Sequence, residues 1–556
     1  MSALPPVDTP VVTRVDTPVD TDVLVLGSGS AGLTAALTAA IGGLSVTVLE
    51  KAEVLGGTSA MSGAGTWIPA SHHARAAGID DSPDEALAYI RAAAPEGWAA
   101  TEDALWQRFV TAAPEMLEFV EAHSPLRFAL TPEPDPLRDL PGAKPRGRMM
   151  SPLPLSRWRL GRLGFAIRRS TIPEVFTYHE AVETDLYHHP VRTAFQLWPR
   201  LLWRVLTSTG GKGTALIIGL LRGCLDAGCT VERGARAVSL LTDETGAVTG
   251  AVVEQRGRRR EYHARRGVLI ATGGFEWDAS LLQQHFPGPV DYLGSPDSNT
   301  GDGQKMAAAV GAELAHMDQA TLTPSIPKRY QGRVLAMPVP FHTEPNAILV
   351  NREGRRFVNE LRFNIGELID SRGADGQPLH LPAWVISDAA MLKRLPLVRW
   401  AARHDPNWLR KAATIEELAQ KIGIDPATLR ATVERFNAAA AAGEDHDFGR
   451  PAKRDAAAVD KRRRAGLDPI ATAPFLAMPF NRSILATKGG PRTNDQAEVL
   501  RADGSVIPGL FCAGVAMANP LGTRSVGAGT TIGPNMAWGY VAAKRMLSRN
   551  ALPRQG

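Results

Sequence analysis

The run Gly27-Ser28-Gly29-Ser30-Ala31-Gly32 carries three glycines at the spacing by which a chain cradles a pyrophosphate on its own amides. In such a run the first glycine permits a tight turn and the second lets a phosphate approach the backbone. The third lets a helix lie close to the preceding strand. The flanks supply the context this chemistry needs. Val23-Leu24-Val25-Leu26 is a short, wholly apolar stretch, as expected of a parallel strand buried on both faces. An alanine-rich helical segment follows, and then Val46-Thr47-Val48-Leu49-Glu50. Glu50 therefore closes a second strand, where a carboxylate can accept hydrogen bonds from a ribose, and Lys51 follows it. Strand, glycine turn, helix, strand and acid together predict a dinucleotide on the N-terminus of the first helix.

More small-residue loops extend the prediction to FAD rather than NAD. Gly56-Gly57-Thr58-Ser59 and Ser62-Gly63-Ala64-Gly65 come soon after the second strand and suit the close passage of a long ligand. Val268-Leu269-Ile270 runs into Ala271-Thr272-Gly273-Gly274, and Gly509-Leu510-Phe511-Cys512-Ala513 runs into Gly514. Each reads as a buried strand ending in glycine. Open α/β sheets bind ligands at such strand ends.

These elements sit in a chain of 556 residues, long enough for two domains. A net charge of +5 is too thinly spread for nucleic acid to be a partner. Three cysteines, Cys224, Cys229 and Cys512, exclude a disulfide framework and fit a cytoplasmic protein. No metal-ligand spacing of Cys and His occurs, so no metal is expected. Residues 1–20, in which VDTP occurs twice, read as a disordered leader. The uncharged stretch Val23–Leu49 is long enough to span a bilayer, but its five glycines divide it into strand, turn, helix and strand.

With these motifs in place, the chain resembles the fumarate reductase and 3-ketosteroid dehydrogenase flavoprotein superfamily. The likeness runs through GSGSAG (27–32), LEK (49–51), GGTS (56–59), ATGGF (271–275) and TGDG (300–303). It continues in RRFVNE (355–360), TKGG (487–490) and GAGTTIGPNMAWGY (527–540). TKGG and TIGP look more like the ketosteroid branch. The resemblance implies an α/β protein: a Rossmann-like FAD-binding domain, split in sequence, with an inserted α+β substrate cap. Its expected limits are 21–313 (with an Arg/Trp-rich insert at 141–210), 314–479 for the cap, and 480–556. It adds Ala237, Val238, Asp302, Gly529, Thr531 and Ile532 to the FAD contacts. It implies desaturation of a cyclic ketone, a 3-oxosteroid or a smaller alicyclic ketone, by α-proton abstraction and β-hydride transfer to the flavin N5 atom.

In that chemistry the amides of Gly527–Thr531, opening a predicted helix, stabilise reduced flavin, and the Gly529 N–H polarises the ketone oxygen. The branch's usual side chains are missing, however. It carries Tyr where this chain has Asn364 and Ser525, and the dicarboxylate reductases carry Arg at both sites. Replacement candidates are Tyr178, in the insert, Tyr330, in the cap, and Arg524, beside Ser525. A phenol titrating near pH 10 needs cationic or hydrogen-bonding help to act as a base. Tyr89, Tyr262, Tyr292 and Tyr540 read as structural.

Arg146–Arg204 holds ten arginines and four acids, with Trp158, Phe165, Phe176, Trp198 and Trp203 between them. A helix is expected to open at Pro199 with Leu201, Leu202 and Val205 buried. The stretch suits a greasy entrance for an apolar ketone, or a weak contact with a membrane surface that would make a cytoplasmic protein peripheral to it. Two other functions stand beside ketone desaturation: a fumarate reductase-like enoate reductase, and a flavoprotein without catalytic competence. The electron acceptor has no signature in the chain.

Overall fold

The computed structural model describes residues 15–452 and 466–550. Its largest element is an eight-stranded sheet. Val15–Leu26 lies at the centre, parallel to Val46–Glu50 on one side and to Arg258–Ile270 on the other. Thr230–Arg233 and Val506–Cys512 extend the parallel array on its two flanks, and Glu498–Leu500 closes one edge antiparallel. Val23 to Leu26 are almost wholly buried because helices cover both faces of the sheet. Helix Ser30–Ile41 leaves the central strand and packs against the last helix, Ile532–Ser548, and against Lys212–Asp226. The two ends of the chain thus build one core.

The inserted cap carries a four-stranded antiparallel sheet in the order Ile348–Val350, Trp384–Ser387, Phe475–Pro479, Arg410–Ala412. Two helices, Ile415–Ile422 and Pro426–Ala442, cover it. The alanine-rich tract divides there for local reasons. Gly423 ends the first helix at φ +72°, and Asp425 caps the second, which begins at Pro426. Just beyond, the RRFVNE motif holds the cap together. Arg356 pairs with both Glu360 and Asp445, while Arg450, fully buried, reaches Glu360 and the carbonyls of Glu344, Ala347 and Gly466.

Three expectations need correction. Residues 15–20 do not belong to a leader, because they extend the central strand and pair with Arg259–Ala264. Residues 1–14, and the Arg462–Arg464 linker, lie outside the described residues. The insert helix opens at Pro190, not Pro199, and Leu202 and Val205 are exposed. Its rotation is fixed from the other side: the buried Arg204 guanidinium donates to both Glu180 oxygens, at 2.6 and 2.9 Å, and to the Val175 carbonyl. Finally, Ile172, Phe176, Ala181, Leu186 and Tyr187 pack into the cap's apolar core, so this part of the insert is cap rather than FAD domain.

Removing one member of a buried ion pair strands the other charge. Glu360→Gln is expected to cost about 3–5 kcal/mol in urea denaturation. A cost under about 1 kcal/mol would show that the Arg450 guanidinium is not neutralised by this carboxylate.

Candidate active site

The N-termini of the first and last helices open into one cavity of about 470 Å³, a size typical of ligand sites. Neither N-cap residue makes a side-chain hydrogen bond; the Ser59 hydroxyl accepts from the Ser30 amide, and the other first-turn amides and the positive dipole ends are left to the cavity. The glycines of the first turn divide the work. A Cβ on Gly32 would lie 2.1 Å from the Gly27 carbonyl oxygen, so that glycine serves helix–strand packing. A Cβ on Gly29 would meet only the Ser59 hydroxyl, at 3.5 Å, so the space before Gly29 is open. Glu50, nearly buried, accepts hydrogen bonds from the Ser28 amide and hydroxyl and from the Ala52 amide. Lys51 and Arg236 both pair with Asp302, closing one wall.

Gly27 to Ala31, Glu50, Lys51, Gly57 to Ser59, Ser62, Gly63 and Gly65 all face the cavity. So do Ala237, Ala271 to Gly273, Asp302, Gly514, Gly529, Thr531 and Ile532. Four of the predicted cofactor residues do not. Gly32 and Gly56 serve packing, a Cβ on Gly56 meeting Ala60 at 2.7 Å. Gly274 is pressed against Glu276 and Thr487. Val238 follows Ala237 on the strand Ala235–Thr242 at a bulge, where the pairing passes from Ala237 to Ser239, and it does not line the cavity.

At the other end, the loop 525–530 is held in a strained shape. Gly529 has φ +87°, and a Cβ there would lie 2.6 Å from the Gly65 carbonyl, so the two backbones touch. The Asn364 amide group donates to the Ser525 carbonyl and accepts from the Ser525 amide, both at 3.0 Å. The Ser525 hydroxyl donates to the Gly527 carbonyl and meets Thr530. The two positions that lack tyrosine thus brace the loop bearing Gly529. The Arg524 guanidinium does not face the cavity, because it is bound to Glu367 and to the Ala93 carbonyl.

Tyr187 lines the cavity, and so does one of the two tyrosine candidates, Tyr178. Its ring lies against Gly63, and its hydroxyl donates to Glu133 at 2.9 Å. Tyr330, on the strand Ser325–Tyr330, donates to the Arg169 carbonyl away from the cavity. Tyr89 donates to the Val526 carbonyl, Tyr262 to Glu232 and Tyr292 to Asp405. Each of those three bonds ties one element to another.

Sequence reading missed Glu133, Asn299, Asn535 and Lys488. Asn299 donates to Thr58 and Glu276, and Glu276 also accepts from the Thr487 amide and hydroxyl, joining the ATGGF and TKGG loops. Lys488 is fully enclosed on the cavity wall, donates to the Gly522 carbonyl, and is pushed by burial down to about 8. Asn535 Oδ1 and Thr272 Oγ1 are buried there without a hydrogen-bond partner among the described residues. Orphaned polar atoms, uncapped amides and the open space at Gly29 fit a long, polar, anionic ligand.

These features define a flavoprotein of the dinucleotide-binding type. The family model for an FAD binding domain matches residues 22–532, and the chain belongs to that family, with FAD as its cofactor. It is similar to 4-oxocyclohexanecarboxylate 2-dehydrogenase of Sinomonas cyclohexanicum, at 38% identity over 97% of this chain and 95% of that protein. It is 33% identical to 3-oxosteroid 1-dehydrogenase of Mycobacterium tuberculosis, over 94% of this chain and 97% of that one. Among solved structures it matches 3-ketosteroid delta1-dehydrogenase from Sterolibacterium denitrificans in complex with 1,4-androstadiene-3,17-dione. That match has 31% identity, a TM-score of 0.83, and coverage of 95% and 99% of the two chains.

Two outcomes follow. Gly29→Val should leave the melting temperature of the apoprotein within about 2 °C and abolish FAD retention on gel filtration, whereas Gly32→Val should lower both. Equal effects of the two would remove the assignment of open space to Gly29. For Lys488, the folded-state value lies below the unfolded 10.5, so folding releases a proton between about pH 8 and 10.5 and stability rises across that window. Apoprotein Lys488→Met should be the more stable by roughly 3 kcal/mol at pH 7, and the gap should close by pH 10.5. A gap independent of pH would contradict the enclosed ammonium.

Proposed function

We propose that this flavoenzyme desaturates a cyclic ketone next to its carbonyl, with Gly529 and Tyr178 as the groups that act on it. The observation that carries this reading is the meeting of the Gly529 loop with Gly65, two residues from the glycine on which Tyr178 rests. No more than roughly 7 Å of backbone separates those contacts, so one small ring can reach both. The Gly529 N–H donates to the ketone oxygen and makes the α-hydrogen acidic. Tyr178 takes that α-proton at its hydroxyl oxygen while its own proton passes to Glu133, which solves the problem of a weakly basic phenol. FAD, when bound, supplies the acceptor for the hydride that leaves the β-carbon, so the ring gains a C=C bond. The brace between Asn364 and Ser525 holds the donor loop in register. A short amide–backbone pair in place of two tyrosines leaves the pocket free of phenols at those positions. The substrate class is an apolar 3-oxosteroid or a smaller alicyclic ketone, delivered from a bilayer with which the 146–204 stretch makes peripheral contact.

The test is anaerobic mixing of the oxidised holoenzyme with 3-oxosteroids, substituted cyclohexanones and fumarate-like acids. A ketone should bleach the bound flavin, and the unsaturated acids should not reoxidise the dithionite-reduced enzyme. The reverse pattern would make the protein an enoate reductase. Tyr178→Phe should keep full FAD content and slow bleaching about 10²–10⁴-fold. Glu133→Gln should slow it less and flatten the acidic limb of the pH profile. Wild-type rates for Tyr178→Phe would take proton abstraction away from this residue.

A further inference from the structure

The insert helix Pro190–Leu206 packs Leu197 and Leu201 against the cap core but leaves its larger apolar stripe outside. Val191, Phe195, Trp198, Leu202, Val205 and Leu206 recur at helical spacing along one stripe, and that stripe faces outward, each residue between 51% and 81% exposed. The charged Arg204 is turned inward too, held by Glu180. The segment Arg157–Ala166 lies beside the helix's C-terminal end. The Arg157 amide donates to the Ser208 carbonyl, and the Ser156 hydroxyl donates to the Thr207 carbonyl. That segment adds exposed Trp158 and Phe165, packed edge to face at 4.8 Å. Ten of the twelve large apolar side chains exposed among the described residues fall within 153–206, so the exposure is one patch rather than scatter.

Charge decides what the patch meets. Arg159, Arg162, Arg169, Arg192 and Arg200 are exposed around it. Of the four acids in the stretch, only Glu183 is exposed, since Glu174, Glu180 and Asp185 are engaged with Arg157, Arg204 and His188. A two-fold contact with a second copy would set these arginines against their own images. A surface of anionic head groups over acyl chains instead matches tryptophans and aliphatic side chains in the middle with guanidinium groups at the rim. The patch also adjoins the cavity, because Tyr178, Ala181 and Tyr187, just before the helix, line the cavity wall.

We infer that the outward face of 190–206, with Trp158 and Phe165, docks the enzyme on an anionic bilayer and sets the cavity mouth against it. The docking surface stands on exposure and charge alone; only its use as a route for an apolar ketone rests on the functional reading given above.

The experiment is co-sedimentation of the holoenzyme with sucrose-loaded vesicles of phosphatidylcholine, with and without 30% phosphatidylglycerol, in the absence of substrate (about 30% being ample to give the negative surface potential that attracts arginines). The wild-type protein should pellet with the anionic vesicles, at least tenfold more than with phosphatidylcholine alone. The double variant Trp198→Ser, Leu202→Ser should lose binding to both by roughly a hundredfold, about tenfold for each side chain withdrawn from the acyl region. Arg192→Ser with Arg200→Ser should erase the preference for phosphatidylglycerol. Flavin content and anaerobic bleaching by a water-soluble cyclohexanone should be unchanged in both, which shows that the variants fold and separates this outcome from the catalytic reading. Equal pelleting of wild type and the Trp198/Leu202 variant would overturn the inference. So would a dimer in sedimentation velocity that the same variant splits, since the patch would then be a subunit interface.

Discussion

Two helix N-termini whose N-cap residues make no side-chain hydrogen bond face one cavity, and the rest of the molecule is arranged so that they can. An uncapped first turn leaves amide groups without partners and concentrates positive potential. The fold gathers two such ends, one from each extremity of the chain, because helices Ser30–Ile41 and Ile532–Ser548 pack against each other on the same sheet. That packing is close enough that Gly539 of the last helix has no room for a Cβ, which would lie 2.2 Å from the Ala31 carbonyl oxygen of the first. An anionic ligand resolves what the protein leaves unsatisfied, the Asn535 and Thr272 oxygens having no hydrogen-bond partner among the described residues.

The remainder of the site serves as bracing. Thr487 and Asn299 meet at Glu276 and lock two loops from distant parts of the chain. Asn364 reaches from the cap to fix the backbone at Ser525, so cap position and donor-loop geometry are coupled through one amide. The cap in turn depends on Arg450 and Glu360, buried together behind the RRFVNE turn. A motif that looks like site chemistry is therefore largely an ion-pair lock. In the proposed reaction the chemistry falls to groups the motifs do not contain: Tyr178, which the insert brings to the cavity wall, and Glu133, which accepts its hydrogen bond.

The FAD domain was legible because its signals are local and redundant. Glycine spacing, apolar strands and the acid at Glu50 each specify the same strand–turn–helix geometry, and the structure places them there. Pairings between distant segments were not legible. Nothing near Glu133 announces a role, and Asn299 and Lys488, though beside TGDG and within TKGG, acquire theirs from partners elsewhere in the chain. Val238 was misplaced because it falls at a bulge in its strand, and Pro199 because Pro190 takes the first-turn position instead. In the insert helix Leu201 packs inward as expected, but Leu202 and Val205 do not. Apolar spacing says that a helix has two sides, but it does not say which side is inward, and here a buried Arg204–Glu180 pair makes that choice.

The central claim is that one elongated site joins the two helix ends, with separate halves of the cofactor held at each. It is tested most directly by titrating the apoprotein with FAD, FMN and ADP under identical conditions, following tryptophan fluorescence. The account predicts one FAD per chain, bound at least a thousandfold more tightly than FMN or ADP alone, because linking two weakly held halves turns the second contact into an intramolecular one. FMN binding as tightly as FAD would mean that the glycine turn and Glu50 hold nothing, and would contradict it.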